Sequence, residues 1–292
     1  MISRLKLMVG VWAGMLLFYA GFAHAADAPA SGEIRLLVRG DDMGVAQAVN
    51  EACIESYKNG IVRSVEVIVP GPWFLDAVRL LKENPGVDVG VHLCLTSEWE
   101  RVKWRPITHG KTIADERGYF FPMTGQRKDF PPNTGFLDAK PDLAEVEAEL
   151  RAQIETAKKQ ISNLSHVSAH MGAAVATAEL RALTQRLAKE FGLRLESTSL
   201  KGAGRWSGNT LTPQQKEEGL VKLLEALQSG QWLIVEHPGL DTPEMRAIGH
   251  KGYENVAADR VGVTQAFTSA RVKKVIADRK IKLISYAEVK DE

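Results

Sequence analysis

The sequence has few cysteines, almost no net charge and, after its first residues, no apolar run long enough to span a membrane. Two cysteines among 292 residues exclude a fold held together by several disulfide bonds. A net charge of +1 indicates no broad basic surface for nucleic acid. Internal repeats, low-complexity tracts and domain linkers are also missing, so one large globular domain is expected.

The first 25 residues have the pattern of a secretory signal. Arg4 and Lys6 precede the apolar run Leu7–Phe22, and an Ala-His-Ala motif ends at Ala25. An uncleaved membrane anchor is the alternative, which the slightly short apolar run disfavours. The prediction is an exported protein, periplasmic in a Gram-negative host, with no membrane span once the signal is removed.

The rest of the chain alternates between strand and helix patterns. Residues 26–32 read as a short leader and residues 33–292 as a single domain. Strands are predicted at Ile34–Val38, Ser64–Val69, Val87–Leu95, Val167–Ala169, Leu193–Glu196, Trp232–Val235 and Ile281–Ile284. Helices are predicted at Val45–Lys58, Trp73–Lys82, Asp142–Asn163, Thr177–Phe191, Pro213–Gln228 and, as one or two helices, within Glu254–Asp278. Residues 197–212 and 241–253 are predicted to be loops.

This alternation predicts an α/β fold with about seven mostly parallel strands covered by helices. A barrel-like (βα) arrangement fits better than a dinucleotide-binding fold, because no Gly-x-Gly-x-x-Gly motif follows the first strand. Residues 97–141 have no regular spacing, and a long loop inside a compact domain is usually functional. They are expected to form an insertion over the site, with a small hairpin around Tyr119–Phe121.

Reactive side chains fall at or near the ends of four predicted strands. Asp41 and Asp42 follow the first strand, and His92 lies in the third. His170 follows the short strand Val167–Ala169, and His237 follows the strand Trp232–Val235. In parallel βα folds the site lies beyond the carboxyl ends of the strands. One shared site is therefore expected. Since neighbouring residues of an extended chain point in opposite directions, one Asp could hold a metal while the other faces a substrate.

Each of these residues also has a simpler interpretation. Asp42 could cap the next helix, because Asp is a favoured residue at that position. His92 could be a hydrogen-bonded core residue, and His170 and His237 could each shape a turn. His166 begins its predicted strand, which favours a structural or supporting role.

The residue set nevertheless suits one kind of chemistry. A catalytic metal site commonly uses three protein ligands and leaves a position for water, and two imidazoles with one carboxylate suit zinc, iron or cobalt. A second carboxylate can take a proton while a metal-activated water attacks a carbonyl. A further histidine can protonate the leaving amine or stabilise the oxyanion.

The sequence resembles the YdjC-like carbohydrate deacetylases, a family that includes chitooligosaccharide deacetylases and relatives from hopanoid biosynthesis. The matching segments occur in the family's order: Arg39–Gly44, Val49–Ala52, Gly60–Val62, Gly71–Phe74, Gly90–Thr96, Ser165–His170 and His237–Gly239. The resemblance implies a (βα) barrel-like fold and removal of acetyl from an N-acetylated sugar. It also implies a divalent metal bound by Asp42, His92 and His170, with Asp41 as general base and His237 as acid or substrate contact.

One segment departs from the family pattern. The family usually has His-x-Asp-Ser-His before the last ligand, whereas Ser168 and Ala169 stand here in place of Asp-Ser, and Gly172 stands where another His is common. A carboxylate near a ligating His usually orients it and raises its basicity. Loss of that carboxylate is expected to weaken metal binding or to alter the choice of substrate.

Five further residues are candidates for substrate binding: Arg39, Trp99, Trp104, Arg105 and Asp241. The aromatic rings could stack on sugars, or they could anchor the long loop on the barrel. Glu66 is an unusual charge inside the second strand and should be paired if it is buried, with Arg39 as the expected partner. Asp241 and Glu244 could hold their loop or meet the substrate.

The sequence therefore predicts a metal-dependent carbohydrate N-deacetylase whose partner is a small or oligomeric N-acetylated sugar. The alternatives are a phosphoesterase or other metal hydrolase on the same scaffold, and a non-catalytic periplasmic carbohydrate-binding protein. The sequence leaves open the sugar and its linkage, the metal (zinc or magnesium) and the oligomeric state. Cys53 and Cys94 both fit as small buried residues, so a disulfide between them is disfavoured.

Overall fold

The computed structural model describes residues 32–195 and 199–290. The predicted signal Met1–Ala25 lies outside the described residues, as does most of the leader. Within the described ranges, no helix is both long and apolar enough to cross a bilayer.

A single parallel sheet organises the fold. Its strands are β1 Ile34–Met43, β2 Ser64–Val67, β3 Asp88–Leu93, β4 Leu164–Ala169, β5 Arg194–Leu195, β6 Lys201–Gly202, β7 Gly230–Glu236 and β8 Lys282–Ile284. The order is β5-β4-β3-β2-β1-β7-β6, with β8 also paired to β1, and every pairing is parallel. The sheet curls into a partly closed barrel, which confirms the predicted α/β barrel-like fold.

Strand β1 is the centre of this sheet because it pairs with three strands. Along one edge, Ile34–Gly40 pairs with β7. Along the other edge, Arg35–Leu37 pairs with β8, and the residues from Arg39 to Met43 pair with β2. All residues of β1 after Ile34 are buried, so this strand is a fixed support for any side chain at its carboxyl end.

Helices connect the strands and cover the sheet. They are α1 Gln47–Lys58, α2 Phe74–Glu83, α3 Leu143–Gln160, α4 Ala178–Glu190, α5 Pro213–Ala226, α6 Pro243–Ala247, α7 Val256–Thr268 and α8 Ala270–Asp278, with 3₁₀ turns at His170–Val175 and Tyr286–Glu288. Their sequences explain several boundaries: Thr212, for example, begins α5 with a capping box and a following Pro. Two predicted loops were wrong in part, because β6 lies within residues 197–212 and α6 lies within residues 241–253.

The end of β1 also differs from the prediction. The strand was predicted to stop at Val38, but it continues through both aspartates to Met43. Between Gly40 and Met43 the pairing with β2 slips, which is the mark of a β-bulge, and Asp42 has a left-handed φ of 71°. The residue that caps α1 is Ala46, so the interpretation of Asp42 as a helix cap is wrong.

Residues 94–142 form the long connection between β3 and α3, and this segment contains neither helix nor strand. An antiparallel bridge between Ala114 and Phe120 gives the small predicted hairpin. Two carboxylates of α3 hold the segment down. Glu149 accepts hydrogen bonds from Ile107 and Thr108, and Glu145 accepts two from Thr112.

Candidate metal centre

Three predicted ligands converge at the carboxyl ends of β1, β3 and β4. Asp42 Oδ1 lies 3.2 Å from His170 Nδ1 and 3.7 Å from His92 Nε2. One ligand atom from each residue falls within 4.8 Å of the other two, and all three residues are buried. The three strand ends therefore supply one carboxylate and two imidazoles to a single point.

The β-bulge explains why both aspartates reach this point. Alternation along a regular strand would send their side chains to opposite faces. Here His92 Nε2 lies 3.6 Å from Asp41 Oδ2 and 3.7 Å from Asp42 Oδ1. A bulge adds a residue to one strand and redirects a side chain, so the expected separation of the two carboxylates is wrong and both face the same site.

The donor set fits a divalent cation. Asp42 Oδ1 is buried and, apart from the imidazoles of His170 and His92 beside it, no hydrogen-bond donor among residues 32–195 and 199–290 reaches it. Its partner oxygen, Oδ2, accepts a hydrogen bond of 2.7 Å from Arg260 Nη2. Buried oxygens of a carboxylate are costly unless they are paired or bind a metal, and a carboxylate with two imidazoles is a common zinc set.

A second carboxylate contacts the histidine at the end of β4. Glu98 Oε2 lies 3.0 Å from His170 Nε2, on the side of the ring away from Asp42. When the ring is neutral and its Nε2–H donates to Glu98, the Nδ1 lone pair faces Asp42, and this tautomer is the one that a metal ligand requires. Glu98 was not among the predicted site residues, although it lies one residue before Trp99.

The predicted general base is held in place by an arginine. Arg39 donates to both carboxylate oxygens of Asp41, at 2.7 Å from Nε and 2.9 Å from Nη2, and also donates to the hydroxyl of Tyr286. Arg39 is itself buried. Arg39 therefore supports Asp41, and its contact with substrate stays a prediction.

His237 follows β7 and lies at the open side of the site. Its Nε2 is 4.0 Å from Asp42 Oδ2, and its side chain is 41% exposed. The other four predicted members of the site are almost fully buried: Asp41, Asp42, His92 and His170. This placement leaves His237 accessible to a molecule that enters from solvent.

The charges at the centre shift the pKa values of its members. Burial raises the pKa of Asp42, but Arg260, His237 and His170 outweigh burial and hold that pKa well below its ordinary value. Burial and the neighbouring His170 lower the pKa of His92 to about 3. Burial also lowers the pKa of His170, but Glu98 and Asp42 more than offset this and raise it well above its ordinary value.

The other predicted substrate residues are mostly tied to the protein. Trp104 is buried and donates its indole N–H to the Thr96 carbonyl, Arg105 lies over the ring of Tyr119, and Asp241 pairs with Arg246. Trp104 and Arg105 thus make the contacts expected of loop anchors. Glu244, in the same loop as Asp241, accepts a hydrogen bond from Trp73.

Trp99 is placed differently, beside a cavity. Its ring stacks on that of His250 at a centroid distance of 5.5 Å, and it also lies against Tyr253 and Arg260. The cavity has a volume of about 750 Å³ and is formed mainly by the long connection; Trp99, Glu98, Phe121 and Phe130 are among its lining residues. Because Glu98 contacts His170, this cavity borders the candidate metal site.

Arg260 on α7 is the second site residue that the sequence did not indicate. It lies 218 positions from its partner Asp42 and is almost fully buried. Nothing in the sequence around Arg260 distinguishes it from an arginine that faces solvent on a helix. Cys53 and Cys94 are both buried free thiols with separate surroundings, near Asp41 and Trp104 respectively.

The amino-acid sequence is similar to a family of known proteins. The family model described as YdjC-like protein matches residues 35–278. A carbohydrate deacetylase from Thermus thermophilus is 33% identical over 235 residues, which cover 73% of this chain and 80% of the relative. A carbohydrate deacetylase from Thermoanaerobacter pseudethanolicus is 26% identical over 268 residues, covering 87% of this chain and 99% of the relative.

A solved structure shares the fold. The crystal structure of an Enterococcus faecalis V583 protein, provisionally assigned to cellobiose-phosphate cleavage, superposes with a TM-score of 0.69. It is 23% identical and covers 87% of this chain and 98% of its own. At this identity the likeness describes the barrel-like architecture alone.

Proposed function

The chain belongs to the YdjC-like protein family, and we propose that it is a metal-dependent carbohydrate deacetylase that hydrolyses the acetamide of an N-acetylated sugar. The observation that carries the proposal is the convergence of Asp42, His92 and His170 on one point, with Asp41 and His237 beside it. The carbohydrate deacetylases to which the chain is similar support the choice of reaction.

Asp42 Oδ1, His92 Nε2 and His170 Nδ1 would hold the divalent ion. When bound, such an ion supplies Lewis-acid polarisation of a carbonyl and lowers the pKa of a water to about 7. Arg260 donates to Asp42 Oδ2, and Oδ1 is the oxygen that lies beside both imidazoles. Zinc suits this donor set best, since magnesium prefers oxygen ligands and retains several waters.

Asp41 would act as the general base. Arg39 grips both of its oxygens, which fixes the carboxylate in position while leaving each oxygen a further lone pair. His237, the exposed member, would donate to the leaving amine or to the oxyanion. Trp99 would present an apolar wall to the sugar at the border of the cavity.

Acetate release from N-acetylglucosamine and its oligomers tests the proposal. The purified protein should release acetate, a chelator should abolish the activity, and zinc should restore it. Asp41→Asn should lower kcat by about 10²–10⁴-fold, the usual effect of losing a general base, while metal content stays near one ion per chain.

Asp278→Asn is the matched control, because Asp278 lies on the surface and pairs only with Lys274 among the described contacts. It should keep full activity. A zinc-loaded protein that releases no acetate from any acetylated sugar, yet hydrolyses phosphorylated sugars, would instead support the phosphoesterase alternative. Sugar binding without uptake of a divalent ion would support the non-catalytic alternative.

We also propose that the protein acts after export, on the strength of the signal-like sequence Met1–Ala25. Its partner would then be an acetylated sugar of the cell envelope or its surroundings. N-terminal sequencing of the protein from the periplasmic fraction should begin near Ala26. A chain that keeps its first residues and remains in the membrane fraction would support the membrane-anchor alternative.

A further inference from the structure

The ring of His92 is oriented by a hydroxyl on the neighbouring strand. His92 and Ser168 are directly paired across β3 and β4, and adjacent residues in such a pair point to the same face of the sheet. His92 Nδ1 lies 2.7 Å from Ser168 Oγ. The other ring nitrogen, Nε2, faces the carboxylates of Asp41 and Asp42.

The direction of the hydrogen bonds at Ser168 follows from proton counting. Its hydroxyl donates to Glu66 Oε2, and an ionised carboxylate can only accept. A serine hydroxyl has one proton, so Ser168 Oγ has only lone pairs left for the imidazole. His92 Nδ1 must therefore be the N–H that donates to Ser168, and the lone pair of the neutral ring is on Nε2.

Glu66 is fixed by independent contacts. It is completely buried, its Oε1 lies 2.5 Å from His166 Nε2, and Arg39 Nε is 3.9 Å from the same oxygen. His166 is in turn held by Ser165 and stacks on Tyr286 at a centroid distance of 3.7 Å. The Glu66 carboxylate, which accepts the hydrogen bond from Ser168, is therefore also held by contacts that do not involve Ser168.

We propose that Glu66 is a positioning residue that acts through the hydroxyl of Ser168 to hold His92 as the Nδ1–H tautomer, with Nε2 directed to the cation site. The carboxylate behind this ligand comes from β2, two strands away from Ser168. The relevance to a cation rests on the function proposed above, whereas the tautomer assignment rests only on the hydrogen-bond geometry.

Nitrogen-15 NMR of the imidazoles in metal-free protein tests the tautomer directly, because protonated and unprotonated ring nitrogens have well-separated shifts. Wild type should show His92 protonated at Nδ1. Ser168→Ala removes the acceptor, so the Nε2–H form should gain population. A spectrum of Ser168→Ala that matches wild type would overturn the proposal, whatever the enzyme activity.

Zinc affinity, measured by competition with a chromophoric chelator, tests the consequence. Ser168→Ala should raise the Kd by about 10–100-fold, the usual effect of removing a group that orients a metal-bound histidine. Glu66→Gln should raise the Kd for zinc when Ser168 is present. When Ser168 is already Ala, the same change should raise the Kd by less than about twofold, since coupled residues give non-additive effects. Full additivity of the two losses would show that Glu66 does not act through Ser168.

Ser64→Ala is the matched control. Ser64 is a buried serine at the start of β2, and its hydroxyl has no hydrogen-bond partner among the described residues. Its removal should leave both the His92 spectrum and the Kd unchanged. A wild-type protein with the Nδ1–H tautomer that binds zinc but releases no acetate would refute the proposed reaction and leave this positioning role intact.

Discussion

A methyl group added at Gly90 is expected to disrupt the buried contact between Glu66 and His166, next to the candidate metal site. Gly90 is paired with Glu66 on one side and with His166 on the other. The two flanking side chains lean over it and meet each other at 2.5 Å. A Cβ at Gly90 would lie 2.4 Å from Glu66 Oε2 and 2.4 Å from His166 Nε2, so alanine cannot be accepted without movement.

The size of the effect follows from these distances. An ordinary contact between a methyl group and a heavy atom is about 3.5 Å, so each flanking group must retreat by about 1 Å. A bond of 2.5 Å stretched by this amount no longer counts as a hydrogen bond. Overpacking costs about 1–3 kcal/mol and breaking a buried pair costs about 3–5 kcal/mol. We therefore expect Gly90→Ala to lower the free energy of unfolding by about 3 kcal/mol.

Thermal melting of the metal-free protein measures this loss. For a domain of this size, about 3 kcal/mol corresponds to a fall in Tm of roughly 6–12 °C. Gly208→Ala is the control, because a Cβ at Gly208 meets no atom within 4 Å. The loss caused by Gly90→Ala should also shrink in a Glu66→Ala background, where the clashing carboxylate is gone. A Tm for Gly90→Ala equal to that of Gly208→Ala would refute the reasoning.

Three further predictions concern buried groups around the centre. Arg260→Met should destabilise the metal-free protein by about 3–5 kcal/mol at pH 7, because it leaves Asp42 Oδ2 buried without its charge partner; the deficit should be full above pH 4, where the unfolded carboxyl is ionised, and decrease below it, as chemical denaturation at several pH values can measure. Glu98→Gln should weaken zinc binding by about 10-fold or more through His170, measured by chelator competition; an unchanged Kd would exclude this support. Both cysteines should resist a thiol reagent at pH 8 until the protein is unfolded, since they are buried and burial raises the pKa of Cys94 to about 11; rapid labelling of the native protein would contradict this.

Much of the fold could be predicted because hydrophobic patterns report local structure. Most predicted strands and helices are present, with shifts at their ends, and their alternation correctly indicates a parallel sheet. The misses are short elements. Strand β6 has two residues and α6 has five, which is too few for a periodic pattern to rise above the surrounding loop.

The convergence of the site could be predicted because the carboxyl ends of parallel strands meet at one edge. This rule brings the end of β1 close to His92 and His170 without any knowledge of side-chain geometry. The rule does not predict the bulge at Asp41 and Asp42, since a register shift depends on pairing with β2 rather than on local sequence. Nor does the rule predict that Arg260 belongs to the site, because its helix is distant from β1 along the chain.

Ser168, the residue that departs from the family motif, has a carboxylate partner that lies far from it along the chain. From the motif alone, serine in place of aspartate implies a missing carboxylate behind the site and a weaker metal ligand. In the folded sheet, the pairing of His92 with Ser168 and of Glu66 with Gly90 brings a carboxylate from β2 to the serine hydroxyl. Glycine at position 90 leaves the space in which Glu66 crosses β3. The unusual Glu within β2 and the unusual Ser within β4 are thus two parts of one arrangement, and only the register of the sheet relates them.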